Sequence, residues 1–122
     1  MSLYDKDGEA RAYIDYDQDA TIFLWDGTPV AFVKKDGGNA CIFDFRSGFF
    51  GWYKEGIVYD KKGFMVGARK DAVSMMVPKF EGMKGIQKMT PIRSVTPVTP
   101  MQPILMSSWS NTSLTEFLYW GE

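Results

Sequence analysis

The chain has 122 residues, of which 24 % are charged and 16 % aromatic, with a net charge of −1, one cysteine and no histidine. One cysteine excludes an intrachain disulfide, and the lack of histidine removes the commonest general base and most zinc-ligand sets. No run reaches the ~20 apolar residues of a membrane helix, and MSLYDKDGEA lacks the basic start and apolar stretch of a signal peptide, so the expectation is a soluble cytoplasmic protein without cofactor or metal.

Residues 1–73 read as one all-β domain. Aromatic and β-branched runs alternate with glycine-bearing turns, the pattern of strands joined in hairpins. Four runs resemble one another: LYDKDGEARAYI (3–14), IFLWDGTPVAFV (22–33), IFDFRSGFFGWY (42–53) and IVYDKKGFMVGA (57–68). Each has a strand, a turn with Gly8, Gly27, Gly48 or Gly63, and a second strand. A small residue (Ala12, Ala31, Gly51 or Gly67) follows three or four places after that glycine. A lone hairpin is barely stable in water. Four sequential hairpins burying one another's faces predict one compact all-β body, most simply around a pseudo-fourfold axis.

Within this half, Pro29 belongs at a strand start or edge, because it offers no N–H to a ladder. DYDQDA (15–20) imitates the opening of a calcium loop, but Ala20 stands where such loops need glycine. An ordinary loop between hairpins is expected there. Cys41, in the apolar run Ala40-Cys41-Ile42-Phe43, reads as buried filler, and Asp44 faces away from its aromatic neighbours Phe43 and Phe45. Trp25 and Trp52 are the candidates for flooring a small-ligand or glycan site, since aromatic rings stack on such ligands.

Residues 74–106 change period. Val77, Phe80, Met83, Ile86, Met89, Ile92, Val95, Val98, Met101 and Ile104 fall three apart, with no aliphatic or aromatic residue between them. Neither a helix nor a strand has that period. Collagen needs glycine at every third place and long 3₁₀-helices are poorly bonded, which leaves an extended polyproline II-like tail with all ten apolar side chains on one edge. The 28 residues from Val77 to Ile104 would make a rod of roughly 85 Å at ~3.1 Å per residue, against a body about 35 Å across. It must wrap its own body or reach another subunit. Burial of the stripe alone falls short of the entropy of ordering the segment, so contacts from a neighbouring chain, and hence a homo-oligomer, are expected. Seven acids (Asp5, Asp7, Glu9, Asp15, Asp17, Asp19, Asp26) crowd residues 1–33, while the tail carries Lys79, Lys84, Lys88 and Arg93. The tail should lie against the acidic region; four cations are too thin a footprint for nucleic acid. Pro97, Pro100 and Pro103 also form overlapping P-x-x-P, without the usual flanking cation.

Residues 107–122 form an anchor segment. Ser113-Leu114-Thr115-Glu116 has the form of a helix capping box, which predicts a short terminal helix carrying Phe117, Leu118 and Trp120.

YDKDGEARAYI, IFLWDGTPVAFV, GWYKEGIVYDKKG, the triplet tail and the terminal SWSNTSLTEF together resemble the 4-fold β-flower family of uncharacterised bacterial proteins. The resemblance covers nearly the whole chain. It implies a four-hairpin fold and supplies no activity to carry over. That family's third unit often reads Gly-Arg-His-x-Gly-Trp; here Ser47-Gly48-Phe49-Phe50-Gly51-Trp52 has no histidine, so any role of that imidazole is absent. Tyr4-Asp5-x-x-Gly8 and Tyr59-Asp60-x-x-Gly63 are also similar to the YD repeats of toxin shells, as a shared hairpin solution. The functional expectation is a non-enzymatic structural or protein-interaction module whose tail packs on its own domain or on a neighbouring subunit, without catalytic residues or a membrane partner. The alternative is a ligand- or glycan-binding domain using the aromatic hairpin face.

Overall fold

Four aromatic-rich runs broken by tight turns fold as four consecutive hairpins, and their eight strands close into one antiparallel barrel in chain order. The computed structural model describes residues 1–36, 39–46, 48–73, 76–93 and 101–120. The hairpins are β1 (Ser2–Tyr4) with β2 (Ala10–Asp15), β3 (Thr21–Leu24) with β4 (Pro29–Asp36), β5 (Asn39–Phe43) with β6 (Phe49–Lys54), and β7 (Ile57–Asp60) with β8 (Met65–Ala68). β1 pairs with β8 at Tyr4 and Ala68 and closes the ring. Pro29 opens β4, where a missing N–H does least harm to the ladder. The strands, three to eight residues long, are shorter than the ~9–11 residues of a membrane-spanning strand. No helix among the described residues is long and apolar enough to cross a membrane.

The sequence repeat is a repeat of register. In the four hairpins Leu3 pairs with Ala12, Ile22 with Ala31, Ile42 with Gly51 and Val58 with Gly67. A buried aliphatic thus faces a small residue in every unit. Directly after each pair the register slips by one residue, at Leu3/Tyr4, Ile22/Phe23, Ile42/Phe43 and Val58/Tyr59. Such bulges raise local twist and bend the strand, which helps so short a sheet to close.

Three of the four turns are braced by an aspartate at the place where the turn opens, and in the second Asp26 Oδ1 accepts from the Thr28 amide at 2.9 Å. Asp5 Oδ1 accepts from the amides of Asp7 and Glu9, Asp44 Oδ1 from Arg46 and Gly48, and Asp60 Oδ1 from Lys62 and Phe64. Asp44 is therefore a turn brace. Gly8, Gly27 and Gly63 take the positive-φ place in their turns, at 81°, 94° and 92°, a conformation cheap only for glycine. Gly48 does not match them. Its amide bonds Asp44 as those of Glu9 and Phe64 bond their aspartates, so the equivalent third-turn position is residue 47, outside the described residues. That one-place offset explains why its small partner, Gly51, follows after three residues instead of four.

The small residues make room for a plug. The terminal helix α1 (Leu114–Trp120) touches β2, β4, β6 and β8, the second strand of every hairpin. A Cβ on Gly51 would stand 3.1 Å from Phe117 Cζ, and one on Gly67 would stand 2.9 Å from the Leu114 methyls. Leu114, Phe117 and Leu118 join Leu3, Ile14, Ile22, Ile42 and Val58 in a single core. Ser113 caps the helix: its Oγ accepts from the Glu116 amide at 3.1 Å and donates to the Glu116 carboxylate at 3.1 Å. DYDQDA becomes a single 3₁₀ turn, Tyr16–Gln18, capped by Asp15, with Asp19 and Ala20 at positive φ.

Candidate functional site

Strand alternation sends one set of side chains into the barrel and the other outward. Tyr13 and Phe23 stack at 5.5 Å with Trp25 edge-on to Tyr13, and Phe32, Cys41, Phe43, Phe45 and Trp52 form a second outer cluster. Tyr4, Ala68 and Met76 form a third. The tail runs over this aromatic exterior, and its three phases divide the work.

The polar phase faces the body. The Tyr4 hydroxyl donates to the Glu81 carboxylate. The Lys84 ammonium lies 4.6 Å from the Tyr13 ring and 5.2 Å from the Trp25 ring. Gln87 donates to Asp15 at 2.7 Å. Arg93 lies 4.1 Å over Phe32 and donates to the Asp19 carbonyl at 2.5 Å and to Thr21 Oγ1 at 3.1 Å. Rings outside the barrel thus receive cations on their negative faces. Burial lowers the Arg93 pKa, against the opposing pull of Asp19. Burial first, and the Glu81 bond second, push the Tyr4 phenol up to about 12; the same bond holds the Glu81 carboxyl below its ordinary value.

The glycine- and proline-bearing phase supplies backbone hooks. The Lys79 amide donates to the Gly8 carbonyl at 2.8 Å, Lys88 to Gly27 at 2.9 Å and Met106 to Gly63 at 2.9 Å. These hooks match hairpins one, two and four, and their positions fit a spacing of nine residues, or three triplets per hairpin. The place nine beyond Lys88 is Pro97, which has no N–H to donate; it lies outside the described residues. Between hooks, Gly85 donates to the Trp25 carbonyl at 2.8 Å, and Trp25 Nε1 donates to the Gly82 carbonyl at 3.2 Å. Lys79 pairs with Glu9 at 3.1 Å and Lys88 donates to Thr28 at 3.0 Å.

Among the described residues the side chains of the apolar phase are exposed instead. Val77 is 76 % exposed, Phe80 97 %, Met83 96 %, Ile86 91 %, Met89 94 %, Ile92 95 %, Met101 94 % and Ile104 86 %. Val95 and Val98 lie outside the described residues. Over residues 76–93 and 101–106 the tail is therefore a belt that holds the body with two edges and presents its apolar edge to the outside. Monomeric proteins rarely carry contiguous apolar patches beyond a few hundred Å². The belt is the candidate functional surface.

The two tryptophans singled out from sequence do not share a site. Trp25 is half-buried, with its N–H on Gly82 and Lys84 over its ring. Trp52 is 2 % exposed, opposite Cys41 in the second outer cluster, and its indole nitrogen is buried without a hydrogen-bond partner among the described residues. That leaves Trp52 no open ring face. Among the described residues no three His, Cys, Asp or Glu side chains gather as metal ligands would. Sequence reasoning missed Tyr4, Tyr13 and the three turn glycines as the seat of the belt. The nine-residue spacing of its hooks was present in the sequence, but it acquires meaning only beside four hairpins.

Neither a search of curated proteins nor a search of solved structures gives a match to this chain. The model of one family, 4-fold beta flower protein, matches residues 1–118, nearly the whole chain. Its fourfold hairpin repeat is the repeat described above, and the chain belongs to the 4-fold beta flower protein family.

Proposed function

We propose that this protein is a non-enzymatic interaction module: a hairpin barrel that displays an apolar belt for docking on a neighbouring protein surface. The carrying observation is that every described member of the stripe, from Val77 to Ile104, is at least 76 % exposed. Full burial of such a side chain is worth about 1.5–3 kcal/mol, or roughly 60–120 Å² each at ~25 cal/mol per Å². Eight of them, carried around the body from the first hairpin to the fourth, then offer about 500–1,000 Å² in total, and the five from Phe80 to Ile92 about 300–600 Å² on one stretch. The belt follows a polyproline II course in this proposal, because three residues per turn return every third side chain to one edge. A bacterial cytoplasmic setting belongs to the same proposal, supported by family membership and the sole cysteine.

The test separates display from internal packing. Met83→Asp, Ile86→Asp and Met89→Asp are combined in the full chain and melted at low concentration, where association adds little to stability. The expected Tm stays within about 6 °C of wild type, since three solvated side chains contribute within about ±0.5 kcal/mol each and 1 kcal/mol moves a domain of this size by about 4 °C. A fall of roughly 8 °C or more would place the stripe inside the molecule's own packing and end the proposal.

A further inference from the structure

We infer that the occupant of the belt is a second copy of this chain, docked belt to belt. The inference rests on the display reading and adds the partner. Area is the first support: the single stretch from Phe80 to Ile92 presents five exposed apolar side chains, about 300–600 Å² at roughly 60–120 Å² each, enough for one side of a small interface. Charge is the second. A lipid-binding surface keeps its cations beside the apolar face, free to meet headgroups. Here all four tail cations reach back to their own body, Lys79 to Glu9, Lys84 to Tyr13 and Trp25, Lys88 to Thr28, and Arg93 to Asp19 and Phe32. The outward edge is left uncharged, so two copies meet there without like-charge repulsion.

Shape is the third support. On a polyproline II course neighbouring stripe side chains stand ~9 Å apart, which leaves a gap about one side chain wide. A comb of that pitch is complementary to itself: the teeth of one belt fill the gaps of another. A twofold pairing uses the same patch on both copies and closes without growing a fibre. Methionines at Met83, Met89 and Met101 suit the contact, being unbranched and able to fill irregular gaps.

Sedimentation equilibrium of the full chain, wild type beside the triple Asp variant above, tests this. Wild type is expected to be a dimer at about 10 µM and the variant a monomer, its dissociation constant raised at least ~100-fold. A wild-type monomer at about 100 µM overturns the second-copy assignment, as does a dimer that survives in the triple variant. Co-sedimentation with vesicles of three parts phosphatidylcholine to one part phosphatidylglycerol resolves the first case. Lipid binding by a monomeric wild type, lost in the variant, makes a membrane the occupant and leaves the display reading standing. Failure of display itself registers separately, as the fall in Tm.

Discussion

Gly27 answers two demands at once. Its φ of 94° suits only glycine, and a Cβ there would run into the Ile86 carbonyl of the belt. Gly8 meets the Val77 carbonyl and Gly63 the Ile104 carbonyl in the same way. Each turn glycine is therefore both a hinge and a seat, which a sequence reading sees only as a hinge. Gly82 provides the contrast, because a Cβ on it meets nothing within 4 Å. Gly27→Ala should cost about 2–4 kcal/mol, combining left-handed strain with a backbone collision. Gly82→Ala should stay within about ±0.5 kcal/mol. Urea unfolding of the two variants checks both; a Gly27→Ala cost no larger than the about 1–2 kcal/mol of left-handed strain alone would show that the belt does not press on the second turn.

At the scale of elements, the small residue of each hairpin and the terminal helix explain each other. Phe117 is fully buried, 5.8 Å from Phe50 and edge-on to it, and reaches the space that Gly51 leaves open. Phe117→Ala should destabilise by about 3–5 kcal/mol as a cavity opens on the barrel axis. Ser113→Ala, which removes only the cap, should cost about 1 kcal/mol. A Phe117→Ala loss no larger than the cap's would mean that the helix lies on the barrel without plugging it. The hairpins and the cap were legible because their signals are local: turn glycines, alternation and S-x-x-E. The plug's receptor was half legible, since Ala12, Ala31, Gly51 and Gly67 stood out as sites of close approach without naming what approaches. The direction of the tail's stripe was not legible. Apolar residues in phase suggest a buried edge, but a backbone seated on turn carbonyls needs the slim phase inward, as at Gly85 against Asp26. The cations then find outer aromatic rings, and the apolar phase is the one left over.

At the scale of the molecule, barrel and belt are held by different forces, so they should respond differently to pH. The barrel is a closed ladder around a core of buried apolar side chains, from Leu3 to Leu118, none of which takes up a proton. The belt's first crossing depends on Tyr4 and Glu81. The bond from Tyr4 is the largest influence on Glu81 and lowers its pKa from 4.5. A carboxyl with a lowered folded-state pKa stabilises above its unfolded value, and that contribution is lost as pH falls through the folded one. Tyr4 works in the opposite sense. Its pKa is raised from 10.0 to about 12, so its contribution is whole below 10.0 and fades as pH climbs through about 12. The belt's first crossing should therefore loosen at both extremes while the strands persist. Nuclear magnetic resonance can follow the Lys79 amide and the Trp25 indole proton for the belt, with the Ile42 amide reporting the barrel. In wild type the first two should move on acidification below pH 4.5, ahead of the third. In Tyr4→Phe the acid transition should shift upward, toward the ordinary carboxyl value, because the bond that depresses Glu81 is gone. A transition that stays in place in that variant, or belt and barrel signals that move as one, would show that the belt is not latched by this pair.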